Sequence, residues 1–220
     1  MSNYVLRGVQ DVVSYIDGRP RISGRAGLIW WLALGGLFLD AFSNSALSAG
    51  LGPMTKDLQL SATQVAILTS LASWVAIAFN PIGGWMADRW GRIPPLIFAK
   101  VLALVGAGLA AFAPNFEMVL AGRFFVGAAY GIDFAIAMAL LAEFTPAKFR
   151  SRLNTWQGIW YTAVCSNLLL AILFYNMGTG ASIWRYAVGA AGVVALSMFV
   201  AQLLYLVESA TSAARKGLLE

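Results

Sequence analysis

Three charged residues within otherwise apolar stretches are the first candidates for chemistry: Asp40, Arg123 and Asp133. A charge at the middle of a bilayer costs at least ~2.5–3.5 kcal/mol on insertion scales and is seldom kept without a use. At 1.5 Å per residue, we expect Asp40 to lie ~12–15 Å and Arg123 ~11 Å inside the membrane from the same outer side. The two opposite charges therefore share a depth, which allows a static buried ion pair between them.

Asp133 follows Arg123 by ten residues, which places it ~15 Å deeper along the same predicted helix. Three interpretations stay open for this acid. It is a second proton carrier, a contact for a cationic or hydroxylated substrate, or the partner of Arg185 or of a charge on helices outside this chain.

The apolar stretches themselves predict an all-α membrane protein. Hydrophobic residues make up 60% of the 220 residues and charged residues 11%, against ~45–50% apolar content in an ordinary soluble domain. Each membrane crossing takes ~20 apolar residues, so the chain has room for about six. Runs of low charge predict six transmembrane helices at residues 26–50, 63–87, 94–113, 116–142, 153–177 and 184–207.

The distribution of lysine and arginine predicts the topology, because cytoplasmic loops keep positive charge. Basic residues concentrate before the first span, between the second and third, between the fourth and fifth, and after the sixth. We therefore expect both termini in the cytoplasm of a multi-pass protein of the cell (inner) membrane. Residues 1–25 form an amino-terminal tail without the apolar core of a cleaved signal, 26–207 the transmembrane domain, and 208–220 the start of a central cytoplasmic loop or a carboxyl-terminal tail.

Composition also excludes several classes of function. The net charge of +5 is spread between apolar runs and forms no basic patch, so no nucleic-acid partner is expected. Histidine is absent and Cys165 is the only cysteine, which excludes a Ser-His dyad, an internal disulfide and a cysteine-rich zinc site. We expect no enzyme activity, no metal and no cofactor. An aquaporin-like channel is a weak alternative, because Asn80-Pro81 supplies one of the two short elements that such a fold needs.

The segment between the second and third spans carries a spaced motif made of Gly84, Asp88, Arg89, Gly91 and Arg92. Gly84 is expected to admit a neighbouring helix, Asp88 is an acid at a helix boundary, and Gly91 permits a tight turn. The positive-inside rule explains the arginines but not the acid and both glycines at these offsets. The spacing resembles the signature G-x-x-x-D-R/K-x-G-R/K of the major facilitator superfamily.

A second motif ends the fourth span, with Glu143, Pro146 and Arg150 at the spacing E-x-x-P-x-x-x-R. It resembles an element of the sugar porters and related metabolite symporters within that superfamily. The resemblance implies a cytoplasmic gate, in which Glu143 and Arg150 pair with Asp88, Arg89 and Arg92. Surface ion pairs are worth only ~0–1 kcal/mol each, as suits a latch that must break. Weaker matches are Trp184-Arg185 and the run from Glu208 to Gly217.

The resemblance identifies the chain as similar to the amino-terminal six-helix half of such a transporter. It implies that Asp40 and Arg123, followed by Gly127 and Gly131, are the proton-coupling pair. For the other polar residues of the spans, hydrogen bonding between helices is as good an explanation as substrate binding. The candidates for substrate contact are Asn44, Asn80, Gln157, Trp160, Tyr161 and Asn167.

The expected function is transport of a small polar metabolite (a sugar, polyol or organic acid), by proton symport through alternating access. Such sites form between two six-helix halves. The expected partners are therefore the substrate, protons, the lipid bilayer, and a second six-helix half that is either a missing carboxyl-terminal half or another copy of the chain. The alternative is a fragment or a sensor that keeps the fold without transporting, because fold alone does not fix function.

Overall fold

The computed structural model describes residues 9–18, 22 and 24–206, and nearly all of them are helical. The helices are α1 Val9–Asp17, α2 Gly24–Asp57, α3 Ala62–Trp90, α4 Ile93–Ala111, α5 Phe116–Phe144, α6 Thr155–Asn176 and α7 Ile183–Tyr205. Two short 3-10 helices, Ala147–Asn154 and Gly180–Ser182, precede α6 and α7. Six of the helices in these ranges, α2 to α7, are long and apolar enough to cross a membrane, so the chain is a multi-pass membrane protein.

Two helices, α2 and α5, form the centre of the bundle and pack against each other. α3 and α4 pack on α5, whereas α6 and α7 pack on α2, and α4 also packs against α7. Exchanging α2, α3 and α4 with α5, α6 and α7 therefore returns the same pattern of neighbours. This is the arrangement expected of two three-helix repeats, as found within each half of many transporters.

The bundle has two ends, to which we give fixed names. The terminal end holds the first residue of α2, Gly24, the α3–α4 turn at Gly91 and the last residue of α7, Tyr205. The far end holds the last residue of α2, Asp57, and the first residue of α5, Phe116. These names place each side chain along the bundle without reference to a membrane.

Local sequence explains most helix boundaries. Ser61 and Gln64 form a capping box at the start of α3, and the Asn115 side chain accepts a hydrogen bond from the Met118 N–H at the start of α5. Gly91 ends α3 with a φ of 97°, a conformation that strongly favours glycine. The tight turn predicted at Gly91 is therefore present.

Close packing of helix backbones relies on glycine and alanine. A Cβ at Gly127 would lie 2.6 Å from the Ala72 carbonyl oxygen, and one at Gly131 would lie 2.5 Å from that of Ala76. α5 can thus approach α3 only because these two positions lack a side chain, as expected where lipid offers no hydrophobic force between helices.

Gly84 meets no neighbouring helix among the described residues, so the close approach predicted for it is not formed within this chain. A Cβ built on Gly84 meets open space, whereas one on Gly83 would lie 2.7 Å from the Ile132 Cα of α5. Consecutive helix residues point about 100° apart, so only one of the two glycines can face α5. The helix contact belongs to Gly83.

The first span is longer than predicted, since α2 continues through Pro53 to Asp57 instead of ending at residue 50. Met54 is fully buried and packs in one cluster with Leu47 and Trp184. This tertiary packing outweighs the helix-breaking tendency of Pro53, which transmembrane helices tolerate.

The predicted amino-terminal tail contains the helix α1. Val12 is buried, and the Asp17 carboxylate accepts a hydrogen bond of 2.8 Å from the Ala147 backbone N–H. α1 is therefore attached to the 3-10 helix that follows α5. The segment predicted at residues 208–220, with the weak match at Glu208, lies outside the described residues, as do residues 1–8.

Candidate functional site

Three charged side chains meet in the interior of the bundle, each from a different helix. We call Asp40 on α2, Lys100 on α4 and Asp133 on α5 the buried charge cluster; their exposed fractions are 4%, 1% and 0%. The Lys100 Nζ lies 2.5 Å from the Asp133 Oδ2. The Asp40 and Asp133 carboxyl groups lie within hydrogen-bonding range of each other, and Asp40 also interacts electrostatically with Lys100.

The cluster forms because the two acids share a position along the bundle. Asp40 lies nearly five helical turns before the end of α2 at Asp57, and Asp133 lies nearly five turns after the start of α5 at Phe116. Both therefore lie about 25 Å from the far end. Asp40 lies farther from that end than predicted, because α2 continues about two turns beyond the predicted end of the first span.

Two uncharged residues complete the surroundings of the cluster. A Cβ on Gly36 would lie 2.7 Å from the Asp133 Oδ2 and 3.1 Å from the Lys100 Nζ, so the absence of a side chain there makes room for the ion pair. Gln202 of α7 is 1% exposed and donates a hydrogen bond of 3.1 Å to the Leu32 carbonyl oxygen. Its own Oε1 is buried and accepts no hydrogen bond from the described residues.

Arg123 does not join Asp40 in this structure, and the predicted pair is not formed between these two described residues. The Arg123 Nε donates a hydrogen bond of 3.3 Å to the Leu68 carbonyl oxygen of α3. Arg123 lies only about two turns, or about 10 Å, from the far end of α5, whereas Asp40 lies about 25 Å from it. The equal depth on which the prediction rested is absent.

Asp133 does not pair with Arg185, so that interpretation is wrong. The Arg185 Nη2 lies 3.4 Å from the Asp57 Oδ2, and the Arg185 Nη1 donates a hydrogen bond of 2.6 Å to the Ala113 carbonyl oxygen. Both contacts belong to the far end of the bundle. The partner of Asp133 is Lys100.

Lys100 and Gln202 were not predicted from the sequence. Lys100 lies inside the predicted span 94–113, so the rule that singled out the other intramembrane charges applies to it equally. Nothing in the spacing of Gln202 distinguishes it from other polar residues near the end of a span. Its contact with Leu32 depends on the packing of α7 against α2.

Three of the predicted substrate contacts lie together in one cavity. This aromatic cavity has a volume of about 260 Å³ and lies between α5 and α6. The Tyr130 and Trp160 rings lie 5.6 Å apart, and the Phe134 and Trp156 rings 5.7 Å apart. The cavity is lined by Tyr130, Phe134, Trp156, Gln157, Trp160 and Tyr161.

The three predicted asparagines do not line the aromatic cavity. Asn44 donates a hydrogen bond of 3.1 Å to the Asp40 carbonyl oxygen one turn earlier, in keeping with their shared helix face. Asn80 is half-buried on α3. Asn167 is fully buried on α6, and neither its Oδ1 nor its Nδ2 has a hydrogen-bond partner among the described residues.

Tyr130 connects the aromatic cavity with the buried charge cluster. Its ring belongs to the cavity wall, and its phenol interacts electrostatically with the Asp40 carboxyl group. The cavity wall is therefore coupled electrostatically to a buried acid.

The residues of the two spaced motifs meet at the terminal end of the bundle. The Arg92 Nη2 lies 2.9 Å from the Glu143 Oε1, and the Arg92 Nη1 lies 3.5 Å from the Asp88 Oδ1. We call Asp88, Arg92 and Glu143 the terminal latch, because it joins the α3–α4 turn to the end of α5. Arg89 stacks over the Trp85 ring at 5.4 Å. Arg150 is exposed on the 3-10 helix and forms no ion pair with these described residues.

Comparison with known proteins shows the family to which the chain belongs. The sequence model of the Major Facilitator Superfamily matches residues 33–220. The chain is 29% identical to the "Probable metabolite transport protein CsbC" of Bacillus subtilis (strain 168), over 76% of this chain and 36% of that protein. It is 34% identical to "Inositol transporter 4" of Arabidopsis thaliana, over 62% of this chain and 23% of that protein.

Solved structures agree with this comparison at the level of the fold. The chain resembles the proton:xylose symporter XylE bound to 6-bromo-6-deoxy-D-glucose with a TM-score of 0.79 and 19% identity. The match covers 90% of this chain and 48% of that one. The chain therefore spans about half of this neighbour and about a third or less of the curated relatives described above.

Proposed function

Because the chain belongs to the Major Facilitator Superfamily, we propose that it is one half of a transporter that carries a small polar metabolite together with protons. The observation that carries this proposal is the aromatic cavity, which Tyr130 connects to a buried acid. A site for a small solute beside a site for a proton is what symport requires.

The lining of the aromatic cavity favours a sugar or polyol among the small metabolites. Five of its six lining side chains are aromatic, and the sixth, Gln157, offers an amide that both donates and accepts hydrogen bonds. Aromatic faces pack against the C–H faces of a ring, while the amide and the phenols bind hydroxyl groups. No charged side chain lines the cavity, so an organic acid would find no counter-charge among these lining residues. The name of the Arabidopsis relative, an inositol transporter, supports the same class.

Asp40 is the proposed proton carrier, since it is buried and interacts electrostatically with Tyr130 of the cavity wall. Pairing of Asp40 with Arg123, expected from the resemblance, stays a prediction. In the present conformation Arg123 is bound to the Leu68 carbonyl oxygen, so such a pair requires another state of the transport cycle.

A second six-helix half is the proposed partner, either another copy of this chain or a carboxyl-terminal half. The chain covers 48% of the symporter structure it resembles, which is the share of one such half. We place the terminal end in the cytoplasm of the cell (inner) membrane, following the arginines of the α3–α4 turn. The terminal latch then closes the cytoplasmic side.

Uptake into proteoliposomes tests the proposed function. The molar mass of the purified chain is first determined by light scattering, with the contribution of the detergent subtracted. The chain is then reconstituted and supplied with labelled myo-inositol, xylose or niacin under an acid-outside pH gradient. Accumulation of myo-inositol or xylose by a dimer, abolished by collapsing the gradient, supports a symporter built from two copies. A folded dimer that accumulates none of the three under any gradient contradicts transport by this chain and favours a sensor or a fragment. For a monomer, the assay is repeated with a separately expressed carboxyl-terminal half.

A further inference from the structure

We propose that the buried charge cluster binds one proton, shared between the carboxyl groups of Asp40 and Asp133, with Lys100 as the fixed counter-charge. The inference rests on the proposed function for its physiological meaning, because it names the proton site of the transporter. The geometry of the cluster supports the shared proton whether or not the chain transports a substrate.

The net charge of the cluster is the first reason to expect one bound proton. Two carboxylates and one ammonium group carry a net charge of −1 when all three are ionised. All three side chains are at most 4% exposed, and an uncompensated charge in such a place is strongly disfavoured. One bound proton makes the cluster neutral. Two carboxyl groups that face each other at close range hold one proton between them for the same reason.

The unsatisfied hydrogen-bond acceptors of the cluster are the second reason to expect one bound proton. The Asp40 Oδ2 and the Asp133 Oδ1 are both buried and accept no hydrogen bond from the described residues. The two carboxyl groups nevertheless lie within hydrogen-bonding range of each other. Two acceptors can face each other favourably only when one of them carries a proton, so the geometry calls for the donor that a protonated carboxyl group supplies.

The described helices packed around the cluster supply no other ionised group for either acid. Asp40 interacts with Asp133 and Tyr130 from α5 and with Lys100 from α4, and the uncharged Gln202 of α7 lies beside Gly36, one turn earlier on α2. α6 contains no charged residue. The charged residues of α3, Asp88 and Arg89, belong to its last turn at the terminal end. The proton count of the cluster is therefore set by its own three members.

The repeat of the fold explains why the acids come in a pair. Asp40 and Asp133 lie at nearly the same distance, about 25 Å, from the first residues of α2 and α5 respectively. α2 and α5 are the helices exchanged by the symmetry of the bundle, and they cross at its centre. Equivalent acids of two repeats thus meet where the repeats meet, while Lys100 has no charged counterpart on α7 at that depth.

Infrared spectroscopy of the chain in nanodiscs tests the inference without substrate or a second half. With ¹³C-labelled aspartate, a protonated aspartic acid gives a carboxyl C=O band that ionised aspartate lacks. At neutral pH the wild-type chain is expected to show one such band, equivalent to one proton per chain. Asp40→Asn and Asp133→Asn are each expected to abolish this band, since the charges of the remaining carboxylate and of Lys100 then cancel. Lys100→Gln is expected to double it, because both acids then need a proton.

The control variant is Asp88→Asn, which changes an aspartate of the terminal latch and should leave the band unchanged. Helical circular dichroism and a single gel-filtration peak confirm that each variant is folded, and the Lys100→Gln result stands independently of the two aspartate variants. Absence of the band in the wild type overturns the inference, as does a band that survives both aspartate variants. Loss of the band when sodium replaces choline at constant ionic strength also overturns it, since the site would then bind a metal cation. Failure of uptake in proteoliposomes leaves these outcomes unchanged and counts against the proposed function alone.

Discussion

Lys100 and Asp133 form an ion pair of 2.5 Å between α4 and α5, and both side chains are only 1% exposed. Replacing such a pair by apolar residues is often harmless, whereas removing one partner leaves a buried charge without compensation. The pair therefore specifies how α4 and α5 are aligned more than it adds to stability. Removal of Lys100 alone, which leaves two acids without a counter-charge, should therefore be tolerated less well than replacement of the pair.

Removing the ammonium group alone should destabilise the bundle strongly. Lys100→Met is expected to lower the free energy of unfolding by about 3–5 kcal/mol, because Asp133 loses its partner. The double variant Lys100→Met with Asp133→Asn should lose less than the single variant. Unfolding in mixed micelles measures the free energy of unfolding of the single and the double variant. Lys56→Met, an exposed lysine of α2, is the control and should change stability by less than ~0.5 kcal/mol. A double variant less stable than Lys100→Met would contradict the pairing.

The two neighbouring glycines of α3 should respond in opposite directions to the same substitution. Gly83→Ala is expected to cost about 1–3 kcal/mol, because the new Cβ would lie 2.7 Å from the Ile132 Cα. Gly84→Ala meets open space and should gain up to ~1 kcal/mol from helix propensity. Thermal unfolding in one detergent compares them directly. Equal effects of the two variants would show that α3 and α5 do not pack in this register.

Opening of the terminal latch should be visible in hydrogen exchange. Glu143→Gln weakens the 2.9 Å contact with Arg92 by ~1 kcal/mol, which corresponds to about a fivefold shift of an opening equilibrium. Amides of the 3-10 helix Ala147–Asn154, which follows Glu143, should then exchange about five times faster. The control is Glu117→Gln at the far end of α5, for which these amides should keep their wild-type rates. Unchanged exchange in the Glu143 variant would mean that the latch does not hold this end closed.

The aromatic cavity should lose affinity when one of its walls is removed. In the proposed two-half assembly, Trp160→Ala is expected to weaken binding of the proposed sugar or polyol roughly tenfold, or ~1.4 kcal/mol. Calorimetric titration measures the dissociation constant. Trp74→Ala, a tryptophan of α3 that is 69% exposed and outside the cavity, is the matched control. If both variants bind as tightly as the wild type, the substrate occupies another site.

The number of spans and the terminal latch could be predicted because their signals are local. Hydropathy over ~20 residues identifies a span without reference to its neighbours, and the motif around Gly91 is contained in one short stretch of sequence. The contact between Arg92 and Glu143 follows once both motifs are placed at the same end of the bundle. Three of the cavity residues, Gln157, Trp160 and Tyr161, were among the predicted substrate contacts, and their role in binding stays a prediction.

The partners of the buried acids could not be predicted, because they depend on where a helix ends. Burial of Met54 carries α2 past Pro53, and this shift separates Asp40 from Arg123 by about 15 Å along the bundle. The ion pair between Lys100 and Asp133 depends on the alignment of α4 with α5, which no pattern within either helix specifies. The choice between Gly83 and Gly84 is decided in the same way, by the face that α3 turns toward α5.

The order of the buried charge cluster along the chain has a consequence for biosynthesis. The ribosome makes Asp40 first, Lys100 next and Asp133 last, so α2 reaches the membrane before either of its ionic neighbours exists. An acid on a newly inserted helix costs at least ~2.5 kcal/mol, and the cost is relieved only when the later helices arrive. We expect α2 to remain at the insertion machinery until α5 has been translated, and the four membrane helices α2 to α5 to enter the lipid as one assembled unit.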